Sequence, residues 1–370
     1  MKISPFKLER YFDKYEFSAP YLLSSSDCEP MILDELLEMD TSGIGSEFGK
    51  IKLGYTEAKG NPELREEISK LHTHITPDDV LTLVPEEGIF ISMNVLLEKG
   101  DHVVATFPGY QSLYQVAIDI GCEVSKWEPD ENLNFQISDL QRLIRPNTKL
   151  LVINFPHNPT GSLLTKDELT QVVDLSRQHN ITIFSDEMYR FMEYDAINRL
   201  PSVSDLYEQS ISLFGLSKTF GLPGLRLGWL TTRNRDLMER LITFKDYTTI
   251  CNNALSEKLG IIALQQKEKV IYRSLSIIQT NLAQIELFAK QNAHWFKWRT
   301  PKAGSIAFPK LAIQRSVMDF CQDLVNKKGV MLLPHNVYDF SRPHVRIGFG
   351  RKNLPEVLNV FSTYVKESAL

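Results

Sequence analysis

Between residues 80 and 232, short apolar runs alternate with longer segments whose apolar positions recur at helical spacing. The runs over 80–84, 102–106, 123–127, 149–154, 182–185, 210–214 and 228–232 are brief and bounded by turn residues, which predicts strands. The segments over 87–98, 110–120, 137–143 and 166–178 predict helices, the first ended by Gly100. Upstream, Pro62 suits a first helical turn, with Glu63, Glu66 and Glu67 on the favourable side of the dipole, so a helix is expected over 63–72. A short helix is expected over 6–15. Strands alternating with amphipathic helices imply a mostly parallel sheet covered on both faces, an α/β architecture.

After residue 236 the pattern changes. A helix is expected over 236–249, and one or two long ones over 254–293. Strand candidates over 295–313, 330–333 and 344–348 surround a helix over 317–327, and the chain ends in a helix over 354–366. This reads as a smaller α+β unit. The expected division is a large domain over 46–255 and a small domain made of 1–45 and 275–370, joined by a long helix over 256–290. A chain of 370 residues has room for both.

Composition narrows the function classes. With 43% hydrophobic and 24% charged residues, the chain can build a full core. A net charge of -5 and no Lys/Arg run argue against a nucleic-acid partner. No apolar run reaches the roughly 18 residues a membrane span needs, and the first residues lack the apolar core of a signal peptide. Cys28, Cys122, Cys251 and Cys321 lie far apart with no metal-ligand spacing. That suits reduced thiols in a cytoplasmic protein, with neither a disulfide frame nor a metal site.

The candidate chemistry centres on 215–229, GLSKTFGLPGLRLGW, which holds Ser217, Lys218 and Arg226. A lysine in such a loop, flanked by Leu216 and Phe220, is placed for partial desolvation, which lowers its pKa and makes it a usable amine nucleophile. Other strand ends supply partners: FPGY carries Tyr110, NFPHNPTG carries Asn158, and DEMY carries Asp186 and Tyr189. In parallel sheets such loops gather at the carboxyl edge. An amine, an acid, an amide, a phenol and an aromatic face together suit pyridoxal 5'-phosphate (PLP). That cofactor needs a lysine, an acid at its ring nitrogen, donors at its phenolate oxygen, an aromatic face and a cationic phosphate cup.

On these motifs, with GYTEAKGNPELRE from Gly54 and HVRIGFG ending at Gly350, the chain resembles the class I/II aminotransferases. These are the fold type I PLP enzymes of the aspartate-aminotransferase superfamily. The resemblance implies a three-layer α-β-α large domain with a mostly parallel, mixed sheet, plus a smaller α+β domain. It implies a homodimer with shared active sites, moving an amino group between an α-amino acid and a 2-oxo acid through an aldimine on Lys218. By the same resemblance Lys218 also shuttles the proton, Asp186 pairs with the ring nitrogen, and Asn158 and Tyr189 donate to the phenolate oxygen. Tyr189 is counted with Lys218 and Asp186 as catalytic. Tyr110 would stack on the ring, and Ser217 and Arg226 would hold the phosphate. Tyr55 would reach the phosphate of the neighbouring subunit. Arg346, with Asn158 beside it, would fork onto the substrate carboxylate, a geometry lysine does not reproduce. Arg342 and Arg351 are expected as solvated surface charges. A non-catalytic ligand-binding protein on this fold is disfavoured by the intact lysine, aspartate and arginine.

Three departures from the family pattern stand out. Gly215 replaces a serine expected three residues before the lysine. Val84-Pro85-Glu86-Glu87-Gly88 replaces the Gly-Ala pair of the phosphate-binding helix. Pro85 has no N–H, so the cup falls to the N–H groups of Glu86 and Glu87, with both side chains expected to point outward. The N-terminal segment that the resemblance places facing the substrate reads SSSDCEP instead of a Gly-x-Pro, and KDYTTICNN (245–253) is expected near the subunit interface. NFPHNP, GLPGLRLGW, KDY and AGSIAFP together are also similar to the capreomycidine-synthase-like branch. That branch implies the alternative of a PLP-dependent lyase or cyclase working on an arginine derivative. No second arginine for a dicarboxylate is identifiable, and walls of Phe, Tyr and Ser would suit apolar or aromatic side chains.

Overall fold

All seven runs expected as strands between 80 and 232 enter one sheet. The computed structural model describes residues 2–368. The strands are β1 (Val80–Leu83), β2 (His102–Thr106), β3 (Glu123–Trp127), β4 (Thr148–Asn154), β5 (Thr182–Asp186), β6 (Ser210–Gly215) and β7 (Gly228–Thr231). They lie in the order β1-β7-β6-β5-β4-β2-β3. β7 is antiparallel to both of its neighbours, and every other pairing is parallel. Because β6 and β7 are antiparallel neighbours, their connection needs no crossover helix and stays as a loop over the carboxyl edge of β6. That loop carries Lys218.

Alternation along the strands divides the core. Leu150 and Val152 of β4 pack into one cluster, and Leu151 and Ile153 into another across the sheet. The helices are α1 (Lys7–Tyr15), α2 (Pro62–Ser69), α3 (Pro85–Leu96), α4 (Ser112–Ile120), α5 (Ile137–Leu143), α6 (Lys166–Gln178), α7 (Arg235–Lys245), α8 (Ala254–Gln265), α9 (Lys267–Gln291), α10 (Val317–Lys328) and α11 (Leu354–Glu367). α3, α4 and α7 cover the first face with Ile89, Leu113 and Leu241. α5 and α6 cover the second with Leu140, Leu169 and Val172. α2 and α8 close the β1–β7 end with Leu64, Ile68, Leu259 and Ile262. Local chemistry sets the helix starts: the Asn61 side chain accepts from the N–H of Glu63 and Leu64, and Thr165 and Glu168 form a capping box on α6.

The second half departs from expectation in detail. The helical stretch over 254–293 breaks at Gln266, which closes α8 and opens α9. The helix expected over 236–249 stops at Lys245, whose Nζ donates to the Ala58 carbonyl at 2.5 Å. The run over 295–313 yields only the two-residue strands Phe296–Lys297, Ile306–Ala307 and Lys310–Leu311, because Pro301, Gly304 and Pro309 interrupt the ladder. Ile306–Ala307 and Leu333–Pro334 flank Val345–Gly348 in a small antiparallel sheet. Tyr21–Leu22 pairs in parallel with Val330–Met331, and the Gly348 N–H donates to the Leu23 carbonyl at 2.9 Å. The first thirty residues are thereby woven into the last forty. Among the described residues, no helix is long and apolar enough to cross a membrane, no acid/His/Cys group has metal-site geometry, and all four cysteines are free.

Candidate active site

The carboxyl edges of β4, β5 and β6 are tied together before any ligand is considered. Asn154, the last residue of β4, donates its Nδ2 to the Asp186 carbonyl at 2.9 Å and accepts at Oδ1 from the Asn158 N–H at 2.8 Å. Asp186 ends β5, and its Oδ1 accepts from the Met188 N–H at 3.0 Å. Past β6, Lys218 Nζ donates to Ser26 Oγ at 3.0 Å, and the Tyr189 hydroxyl donates to the Ser26 carbonyl at 3.2 Å. Lys218, Asp186, Tyr189, Asn158, Tyr110, Ser217, Arg226, Glu86 and Arg346 line one cavity of about 370 Å³. Leu213, Met188 and Ile89 supply its apolar wall.

Burial sets the electrostatics of this cavity. It raises the Asp186 carboxyl to about 7, against the opposing pull of the Met188 N–H and Lys218. It lowers the Lys218 amine, opposed by Asp27 and Glu9 and assisted by Arg346. Arg346 is 1% exposed. Its Nε and Nη2 donate to the Ser24 carbonyl at 3.0 and 2.8 Å, and its Nη1 to the Tyr338 hydroxyl at 2.8 Å and Asn158 Oδ1 at 3.4 Å. Among the described residues no carboxylate pairs with it. Ser217 Oγ is buried in the cavity wall without a hydrogen-bond partner. A buried guanidinium with no counter-anion and an orphaned hydroxyl both call for an anionic ligand.

Residues 36–361 match the family model described as aminotransferase class I and II. The chain belongs to this family. It is 27% identical over 347 residues to the capreomycidine synthase of Streptomyces vinaceus, covering 92% of this chain and 88% of that one. It is 26% identical over 316 residues to an aspartate aminotransferase of Sulfolobus acidocaldarius, covering 80% and 78%. The crystal structure of a PLP-dependent aminotransferase from Streptococcus suis superposes with a TM-score of 0.93 at 28% identity, covering 99% of each chain.

The cofactor of this class I/II enzyme is PLP. The cavity fits it: Ser217 Oγ is unpartnered, Arg226 lies on the same wall, and the first-turn N–H groups of α3 have no intrahelical acceptors. The family departures acquire physical reasons. A Cβ on Gly215 would sit 3.0 Å from Gly228 Cα, 3.1 Å from the Leu227 carbonyl oxygen and 3.2 Å from Pro85 Cγ, so the adjoining backbone and Pro85 together crowd the room a serine there would need. Of the two glutamates expected to point outward, only Glu87 does. It accepts from the Thr249 hydroxyl at 2.7 Å and from Thr248, and its side chain is outside this cavity. Glu86 instead turns inward, where the Ser112 hydroxyl donates to its Oε2 at 3.2 Å.

Arg342 and Arg351 are not solvated surface charges. Arg351 Nη2 donates to both carboxylate oxygens of Asp27 at 2.9 and 3.1 Å, and Arg342 donates to the Pro129 and Asp130 carbonyls at 2.9 and 3.2 Å. Tyr55 is 92% exposed and lies outside the cavity. The N-terminal wall was anticipated at SSSDCEP but not at the helix before it. α1 brings Glu9, Phe12 and Glu16 to the cavity, and Ser25, Ser26 and Asp27 complete that side. The spacing of 9, 12 and 16 along one helical face was the available signal. Tyr338, the phenol behind Arg346, had none.

Proposed function

We propose that this class I/II family member is an aminotransferase that moves an amino group between an α-amino acid and a 2-oxo acid. The observation that carries this reading is the buried Arg346, without a carboxylate partner, on the wall shared with Lys218. Its fork would seat the substrate α-carboxylate and present Cα to the lysine. Ser217, Arg226 and the N–H groups of Glu86 and Glu87 would hold the PLP phosphate. Asp186 would hold the proton on the ring nitrogen, Asn158 and Tyr189 would donate to the phenolate oxygen, and Tyr110 would pack on the ring. Bound PLP supplies an electron-withdrawing ring that takes up the charge left when Cα loses its proton. Lys218, its basicity lowered by burial, is the group that would lift and return that proton. Lys218→Ala should abolish both the visible absorbance of lysine-bound PLP and amino transfer. A normal lysine-bound band in that variant would sink the assignment.

A PLP-dependent lyase or cyclase is the second reading, supported by the likeness to capreomycidine synthase over most of both chains. Incubation with amino acids and 2-oxoglutarate separates the two. Glutamate formation supports amino transfer, whereas ammonia or a cyclised product without glutamate supports the alternative. We further propose a homodimer with shared sites, which the exposed Leu53, Tyr55 and Tyr247 support. The division into a large unit over 46–255 and a small unit of 1–45 and 275–370 belongs to the same reading. So does a cytoplasmic location, in keeping with four free cysteines.

A further inference from the structure

Glu86 is the second residue of α3, at the helix end where the phosphate cup is placed, and it stands between the cavity and an adjoining groove that holds Ser112, lining both. The wall it faces also holds Ser217, which is 6% exposed and whose Oγ lacks any partner. A phosphate dianion entering this cup would meet one guanidinium, Arg226, and the positive end of α3. It would also meet carboxyl groups. Glu9 of α1 lines the same space and takes the Tyr110 hydroxyl, which donates to its Oε1 at 3.2 Å. Asp186 at the end of β5 and Lys218 after β6 line the same space. Glu87 is turned away toward Thr248 and Thr249. A phenol has one proton to donate, and Tyr110 gives it to Glu9, which leaves a Glu86 carboxylate facing a dianion with only the Ser112 hydroxyl as donor. A protonated Glu86 removes the conflict: its O–H has an acceptor in the Tyr110 oxygen or a phosphate oxygen, while Tyr110 donates to Glu9.

We propose that Glu86 is a proton-carrying residue of the cofactor cup, entering the PLP complex as a neutral carboxylic acid, so that phosphate binding takes up one proton from solvent at this side chain. This rests on the reading that the PLP phosphate sits at the start of α3. Burial already raises the free carboxyl to about 7, against the lowering effect of the Ser112 and Tyr110 hydroxyls. Closing the cavity over a dianion raises it further. The sign follows. Below pH 7 the acid is protonated before PLP arrives and contributes no pH dependence. Above pH 7 the carboxylate must first be protonated, and PLP affinity falls by up to about tenfold per pH unit.

The test measures PLP and pyridoxal dissociation constants by equilibrium dialysis between pH 6 and 9, for the wild type and for Glu86→Gln. For PLP, the ratio of wild-type to variant dissociation constant should climb above pH 7. For pyridoxal, which lacks the phosphate, it should stay flat. Calorimetry of the wild type at pH 8, in two buffers of different ionisation enthalpy, should show about one more proton taken up per PLP than per pyridoxal. This second measurement needs no variant to fold. A PLP ratio that is flat with pH, a climb shared by pyridoxal, or equal proton uptake for the two ligands each overturns the proposal. If the wild type binds PLP far better than pyridoxal while any of these holds, the Glu86 proposal falls alone. If it binds both equally, the phosphate cup falls with it.

Discussion

Arg346 is ringed by oxygens that accept from it, namely the Ser24 carbonyl, Asn158 Oδ1 and the Tyr338 hydroxyl, yet none of them is an anion. Neutral acceptors hold the fork in place without neutralising it, so its charge remains for a ligand. A lysine would keep the charge and lose the planar fork. Arg346→Lys should lower kcat/KM by roughly a hundredfold, or about 3 kcal/mol, mostly through KM, as read from steady-state kinetics on the best amino-acid substrate. An unchanged KM would show that the carboxylate binds elsewhere. The lysine and the aspartate were legible because each follows or ends an apolar run, whereas this arginine was picked out by the resemblance of HVRIGFG to the family. Glu86's inward turn was not legible. It depends on the Ser112 hydroxyl, twenty-six residues away, and no local pattern announces that.

The start of α3 and the β6–β7 pair form one unit. Pro85 opens the helix and lies against Gly228 and Gly215, where an added Cβ would approach Pro85 Cγ to 2.7 and 3.2 Å. The absent serine and the inserted proline are therefore one packing solution. Restoring the family residue should harm this chain. Gly215→Ser is expected to cost about 1–3 kcal/mol by overpacking, measured by thermal unfolding, with a smaller loss in a Pro85→Ala background. An unaltered Tm would refute the coupling. At this scale the strands of the large sheet were readable, since buried parallel strands are near-continuous apolar runs. The short strands around residue 306 were not, because two-residue pairings leave no periodicity. The expectation of one or two helices over 254–293 left a break open, but its place at Gln266 was not readable, because no proline or glycine marks it.

At the scale of the molecule, Leu53, Tyr55 and Tyr247 are 81%, 92% and 89% exposed, and the homodimer proposed above would cover them. Sedimentation velocity should give about twice the chain mass of 42.4 kDa. If Tyr55 of one subunit reaches the phosphate site of its neighbour, as the shared-site proposal has it, Tyr55→Ala should weaken PLP binding about tenfold. If sites are shared, mixing Tyr55→Ala with Lys218→Ala subunits should recover activity that neither variant has at full strength. No recovery in proven mixed dimers would refute sharing. The weave of the two ends of the chain has a consequence in time. Arg346 Nε reaches back 322 positions to the Ser24 carbonyl, and Arg351 reaches back 324 to Asp27. Such contacts close only after nearly the whole chain is available, and they are slow because the intervening loop is long. During synthesis, residues 86 to 226, which carry the groups proposed to hold PLP within this chain, are all made before the arginine proposed to select the substrate exists, so cofactor capture and substrate selection are separated in the order of the chain.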